Sequence, residues 1–327
     1  MIHKILVIGG NGFVGANLVK QLYKQKNHLT IFSHKEPLHP FLKGLRIKII
    51  EGDIRNYKSL LKVIKGQDYV YHLAALTYND EERKKQVFSV NVDGTENVLK
   101  ACLKSKVKKV VHVSTCGVLG FSKNKNELLD EYTHQNFADN QYSNSKKISE
   151  RIALKYVSKG LQVTIANPSF VVGAGEIDSS RYVLAQSISK GRIKVAFPGG
   201  GGTVGIEDLV DGLILVMKKG KSGKRYILNN ENVLLVDRFN MMADILKKPR
   251  IKFVIPRFTY YPMYILGFFA QKLVKNPPIS TEIVRWYFNY RNFDNTKAKK
   301  DLGWKPKITL KESLKRTIKY YETIGAL

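Results

Sequence analysis

Cysteine is almost missing: Cys102 and Cys116 are the only two in 327 residues. Two thiols cannot staple a chain of this size, and no CxxC or Cys/His cluster offers a metal site. No metal is therefore expected, and a cytoplasm that keeps thiols reduced is. Acid is also scarce, with 27 Asp and Glu against 55 Lys and Arg and a formal charge of +28. A nucleic-acid binder concentrates such charge on one helix or arm, often between aromatics. Here it is scattered in pairs such as Lys84-Lys85, Lys146-Lys147 and Lys299-Lys300. A solvated surface is expected and nucleic acid is not, while anionic lipid headgroups and phosphorylated cofactors stay open as partners. No repeat or low-complexity tract divides the chain, and no targeting segment is expected, because Met1-Ile2-His3-Lys4 leads straight into an apolar run. No stretch supplies the roughly 20 apolar residues of a confident spanning helix. The nearest, Phe258 to Val274, is interrupted by Pro262 and Gly267.

What is present is 43% hydrophobic residues, enough for a sizeable core, and one organising stretch, ILVIGGNGFVG from Ile5 to Gly15. Ile5 to Ile8 is apolar without alternation, as in a central parallel strand buried on both faces. Gly9, Gly12 and Gly15 follow, then a helix with apolar Phe13, Ala16, Leu18, Val19 and Leu22. Strand, glycine turn and helix in that order let a pyrophosphate approach main-chain N–H groups, so Gly9, Asn11, Gly12, Phe13, Val14 and Gly15 form the candidate cradle of a dinucleotide. Leu29 to Phe32 reads as the second strand, and Ser33-His34-Lys35 at its tip fall where an adenosine ribose lies. With no acid there until Glu36, NADP is favoured over NAD. Leu45 to Ile50 reads as the third strand, ending at Glu51-Gly52-Asp53-Ile54. Asp53 is a candidate acceptor for the adenine amino group and also a helix cap. Tyr69 to Leu73 reads as the fourth, and Leu73, Ala74 and Ala75 leave room for a cofactor at the sheet's carboxyl edge.

This order resembles the extended short-chain dehydrogenase/reductase superfamily, the NAD-dependent epimerase/dehydratase type. Asn91-Val92-Asp93-Gly94-Thr95-Glu96-Asn97-Val98 is similar to its NVxGTxN helix start, and HVSTCGVLG from His112 to Gly120 to the segment that carries its catalytic Ser or Thr. That alignment gives the role to Thr115, with Ser114 as the neighbouring candidate. Gln141-Tyr142-Ser143-Asn144-Ser145-Lys146 holds a Tyr-x-x-x-Lys, 27 residues after Thr115. Four residues apart on a helix, Tyr142 and Lys146 share a face. An unperturbed tyrosine titrates near 10, and a neighbouring ammonium lowers that value enough for proton exchange near neutrality. Thr115 orients the same substrate oxygen. Asn167-Pro168-Ser169-Phe170-Val171 resembles the family's segment over the nicotinamide, which gives Pro168 and Val171. Gly205-Ile206-Glu207-Asp208-Leu209-Val210 and the terminal Asp294-Asn295-Thr296-Lys297-Ala298 with Leu302-Gly303-Trp304-Lys305-Pro306 extend the likeness over essentially the whole chain.

Departures narrow the branch. Val118-Leu119-Gly120 replaces the family's VYG, Asn167-Pro168-Ser169 replaces an Arg-Tyr-Phe-Asn type segment, and no Arg-x-Gly-Asp precedes Asp294. These argue against a nucleotide sugar and resemble the dihydroflavonol-reductase-like, 3β-hydroxysteroid-dehydrogenase-like and hopanoid-associated epimerase-like branch. Phe258 to Val274 fits an apolar substrate too, either as a buried or substrate-covering helix, the reading put first, or as an interfacial helix lying on a membrane. The expected fold is α/β, a Rossmann-type doubly wound parallel sheet over 1–172 with a returning segment at about 204–228. A smaller substrate domain is expected from 173–203 and 229–327. Three functions follow: a net NAD(P)-dependent oxidoreductase on an apolar or lipid-like molecule, an epimerase or dehydratase with tightly bound NAD, and a non-catalytic nucleotide sensor. A homodimer through helices near 94–104 and 142–158 is implied by resemblance alone, and the cytoplasmic enzyme expected from the cysteines would sit at the inner face of the membrane if the interfacial reading holds.

Overall fold

The computed structural model describes residues 2–34, 37–77, 84–133, 140–176, 180–274 and 277–327. Seven parallel strands form the main sheet, in the order Lys48–Glu51, His28–Ser33, Lys4–Ile8, Tyr69–His72, Lys109–Val113, Val163–Pro168 and Arg225–Leu228. The first strand explains its own lack of pattern. Ile5 and Val7 enter the core on one face, with Leu22, Leu213 and Trp304. Leu6 and Ile8 enter the core on the other, with Leu60, Val98 and Tyr156. Every position is therefore apolar, and each buried aliphatic side chain contributes roughly 1.5–3 kcal/mol. Strand order reverses beside Lys4–Ile8: the chain goes first to His28–Ser33 and then crosses back to Tyr69–His72, with Ile8 level with both Phe32 and His72. That reversal opens a crevice at the carboxyl ends, where ligands of such sheets bind.

The sequence elements that looked separate at the far end form one joint. The Trp304 indole N–H donates to the Asp208 carbonyl (2.9 Å), and the Asp208 carboxylate accepts from the Lys307 and Ile308 N–H groups. The terminal element is thereby clamped to the start of helix Ile206–Lys219, which packs on the main sheet. A smaller sheet pairs Phe170–Val172, Glu231–Leu234 and Tyr290–Arg291 with Gly200–Gly205, and a two-stranded ribbon joins Val195–Ala196 to Phe253–Val254. Phe170–Val172, placed by sequence before the division at 172, thus pairs within the smaller sheet.

Four expectations need correction. The third strand begins at Lys48, not Leu45, because Ile47 N–H bonds the Leu45 carbonyl in a turn and both side chains pack on the core. Asp53 does not cap the next helix: Tyr57–Ile64 starts under Asn56, whose side chain accepts from Ser59 N–H (3.1 Å). Asn91 to Val98 is not a helix start but the middle of a helical run, Lys84–Phe88 continuing through a wider turn at Ser89–Asp93 into Gly94–Lys104. The stretch 258–274 is not a buried helix, since Tyr260–Leu273 buries only Gly267. Among the described residues, no helix is long and apolar enough to cross a membrane.

Candidate active site

The three glycines of the first turn have different reasons to be glycine. Gly9 has φ +83°, and a Cβ there would sit 2.6 Å from the Ala74 backbone nitrogen; at Gly15 it would overlap the Gly9 carbonyl. Those two are demanded by the protein itself. A Cβ on Gly12 would meet nothing closer than the Gly9 carbonyl at 3.6 Å. Gly12 also caps helix Phe13–Lys24 with no side-chain hydrogen bond and no acid in the first turn. Open space before an uncapped helix N-terminus fits a pyrophosphate. Phe13 and Val14 pack against the core, leaving their backbone as the part available to a ligand. The Asn11 side chain is committed elsewhere, donating to the Pro37 carbonyl (3.0 Å) and accepting from His39 N–H (2.9 Å). His39 in turn bonds the Gly175 carbonyl at 2.7 Å, and burial lowers its pKa. A clasp thus runs from the glycine turn across to the segment after the sixth strand.

At the carboxyl tips of the second and third strands lie exposed His34 and half-buried Ser33 and Asp53. Lys35, with Glu36, lies outside the described residues. Asp53 accepts from the Arg55 backbone and from its guanidinium at 2.5–3.0 Å, which holds its carboxyl below the usual range, and His34 adds to the effect. Ile54 packs where Gly94 has no side chain, and Leu73, Ala74 and Ala75 line the opposite rim, partly buried.

The middle of the crevice brings the remaining candidates together. Thr115 begins the turn Cys116–Leu119, and its hydroxyl oxygen accepts from Gly117 N–H (3.2 Å), which leaves the hydroxyl proton to donate outward. Ser114 is buried and Thr115 half-buried, so of the two Thr115 has the more accessible side chain. A Cβ on Gly117 would collide with the Ser143 hydroxyl. Gly117 is thus what lets this turn approach helix Gln141–Val157, which carries Tyr142 and Lys146 one turn apart. Lys146 is 1% exposed; burial pushes its pKa down to about 8, with Glu150 opposing. His72 and His112 lie beside one another, rings 5.3 Å apart, and both are kept neutral by burial and by the Lys146 charge. Pro168 ends the sixth strand, while Val171 is buried in the smaller sheet opposite Val204. Cys116 is buried and its thiol pKa pushed up by burial, so it is an inert packed residue.

Two networks behind these groups escaped the sequence reading. Asn91 accepts from Leu76 N–H (2.8 Å) and donates to the Leu76 carbonyl and to the Ser145 hydroxyl, which donates on to the Tyr142 carbonyl (2.7 Å). Asn167 donates to both the Thr115 carbonyl (3.1 Å) and the Glu150 carboxylate (2.7 Å), and Glu150, fully buried, pairs with Arg225 at 2.7 Å. Spacing could have shown the second: Glu150 lies four residues beyond Lys146, as Lys146 does beyond Tyr142.

This geometry agrees with the comparisons. Residues 5–229 match the family model described as NAD dependent epimerase/dehydratase family. The chain belongs to that family. Within the epimerase/dehydratase family, the sterol demethylase protein B of Methylococcus capsulatus is 26% identical over 93% of this chain and 94% of its own length. The 3 beta-hydroxysteroid dehydrogenase/Delta 5-->4-isomerase of Mycobacterium tuberculosis is 27% identical over 98% and 91%. The crystal structure of gox2253 superposes with a TM-score of 0.88, at 24% identity over 99% of each chain. As a member of the epimerase/dehydratase family, this protein is an NAD-dependent enzyme of the extended short-chain dehydrogenase/reductase type, with a Rossmann-type parallel sheet.

Proposed function

We propose that this enzyme transfers a hydride between a nicotinamide and the carbonyl or alcohol carbon of an apolar, lipid-like small molecule, with Thr115, Tyr142 and Lys146 as its catalytic residues. The observation that carries the choice of substrate is an aromatic cluster that begins at Phe121, just past the turn that Thr115 opens. Arg291 lies 3.9 Å from the Trp286 ring and 6.0 Å from Phe121, Trp286 packs against Phe170 and Tyr287, and Tyr287 against Phe197. Such a surface suits flat apolar skeletons better than sugars. The names of the sterol and steroid relatives support the same class.

A bound nicotinamide supplies or accepts the hydride. The protein's part is the oxygen of the reacting carbon: Tyr142 gives it a proton in reduction and takes one in oxidation, Thr115 donates a hydrogen bond to it, and the Lys146 ammonium stabilises tyrosinate. Asn91 and Asn167 hold the backbone of Tyr142 and Thr115 in place. We assign the dinucleotide cradle to the backbone of residues 9–15, with the adenosine at Ser33, His34, Asp53 and Ile54. NADP preference is part of the proposal, resting on His34 and on Arg55, a cation the sequence reading did not weigh. The proposed domain division and a homodimer through Gly94–Lys104 and Gln141–Val157 complete the reading; exposed Leu154 favours the latter. Purified enzyme supplied with NADPH or NADH and a panel of carbonyl compounds tests the assignment. Consumption of reduced nicotinamide with sterol-like ketones and not with nucleotide sugars is expected, and the opposite preference overturns it.

One observation favours a second reading, an epimerase or dehydratase that keeps its NAD. The clasp from Asn11 through His39 to Gly175 ties the glycine turn to the segment after Val163–Pro168, a restraint that suits a cofactor recycled rather than exchanged.

A further inference from the structure

From Ile245 to Thr281 the chain carries seven Lys or Arg and no Asp or Glu. Among the described ones, Lys252 is exposed and Lys272 lies over the Phe268 ring on the helix itself, while Arg250 pairs with Asp244 and Arg257 lies over the Tyr290 ring. Helix Tyr260–Leu273 rests on the N-terminus of helix Thr281–Phe288 through Gly267, where a Cβ would sit 2.9 Å from the Ser280 carbonyl carbon. Tyr261, Ile265, Leu266, Phe269 and Leu273 point away from that contact, with exposures from 56% at Phe269 to 85% at Leu273. Their spacing of three and four residues makes one continuous face. The neighbouring ribbon extends it: Phe253, 57% exposed, pairs with Val195, and exposed Lys252 and Lys194 precede them. Single exposed apolar residues need no explanation, but a contiguous patch with a charged fringe does.

Charge selects the occupant. A second copy of this chain would meet the patch symmetrically and set its cations against the same cations, on a protein already at +28. An anionic lipid surface satisfies both parts, headgroups taking the lysines while the aromatic and aliphatic side chains enter the boundary below them. The patch also connects inward. Tyr260 lies 5.7 Å from Phe288, Phe288 5.6 Å from Phe197, and Phe197 4.9 Å from Tyr287. Tyr287 adjoins Trp286 and Arg291, and so Phe121, just past the turn that Thr115 begins.

We propose that this face docks on anionic lipid membranes and that the aromatic run leads an apolar substrate from the bilayer to the crevice. The second half rests on the apolar-substrate reading above; the first does not.

The test is flotation of the full-length protein with vesicles of phosphatidylcholine, with and without phosphatidylglycerol, at rising salt. Recovery with the anionic vesicles alone, weakening as salt screens the lysines, is expected. Leu266→Glu and Phe269→Glu should each lower partitioning roughly tenfold or more, and Lys252→Ala about fivefold. Dinucleotide affinity should be unchanged in all three. No flotation with anionic vesicles overturns docking and leaves the substrate reading standing. Flotation by an enzyme that reduces no apolar carbonyl sinks the substrate reading and the delivery route, and leaves docking. A concentration-dependent dimer that Leu266→Glu dissolves, without vesicle binding, shows a second copy on this face and overturns the proposal.

Discussion

Around the glycine turn, each backbone position is fixed either by a contact the protein makes with itself, as at Gly9 and Gly15, or by space left for a ligand, as at Gly12. Along helix Tyr260–Leu273 the chain makes few such commitments, burying one residue in fourteen. The two regions have similarly apolar sequences and opposite fates. Residue type alone did not separate them; the covering element did. Ile5 to Ile8 lies between two helical layers, whereas nothing in the described residues lies over Ile265 or Leu266. Apolar sequence therefore means core at one end of this molecule and an outward face at the other.

Substitutions can break that contrast. In the crevice the largest effect is expected from Tyr142→Phe, which removes the proton donor and should lower kcat about 10²–10⁴-fold in steady-state assays while leaving dinucleotide binding intact. Retained kcat would mean that another acid serves, whereas full biological activity in the variant would favour the third, non-catalytic class. Glu150→Ala strands Arg225 beside a buried site and should cost about 3–5 kcal/mol in chemical denaturation. Removing the surface cation Arg316, paired with Glu207 and Glu312, should cost at most about 1 kcal/mol. The two glycines give a sharper pair. Gly15→Ala forces a methyl into the Gly9 carbonyl and should destabilise by roughly 1–3 kcal/mol, whereas Gly12→Ala should melt like the parent and bind dinucleotide more weakly by calorimetry. If both lose stability equally, the space at Gly12 is packing, not a ligand site. The pH profile comes next. The charged form of Lys146 is the useful one and is lost as pH rises past its pKa of about 8, so kcat/KM should fall on the alkaline side from near that value, and Lys146→Arg should move the fall upward. Smallest of all, Leu266→Gln on the exposed helix should change stability by no more than about 0.5 kcal/mol. A larger loss would place that face inside an interface.

Legibility followed how local the cause was. The strand, the glycine turn and the Tyr-x-x-x-Lys spacing are set within a few residues, and all three stand where the sequence put them. Leu45 and Ile47 looked like strand because they are apolar, yet a turn carries them onto the core instead. Asp53 looked like a cap until its carboxylate found Arg55 two residues on, leaving Asn56 to do the work. Glu150 has a local signature in its four-residue step from Lys146, but Asn167 and Arg225 meet it only once distant strands are assembled, so the ion pair and the hold of Asn167 on the Thr115 carbonyl have none. The exposure of 258–274 depends on what does not cover it, and a sequence does not record that.

The central claim is that the crevice beside Lys4–Ile8 takes a dinucleotide reversibly for net hydride transfer. Native mass spectrometry of the freshly purified, extensively dialysed protein, followed by separate additions of NADPH and NADH, tests it most directly. The account predicts empty protein that takes up NADPH and releases it on renewed dialysis. Protein that leaves purification with NAD(H) still bound would contradict both the exchange and the NADP preference, and would make the clasp at Asn11, His39 and Gly175 the lock of an enzyme that recycles its own hydride.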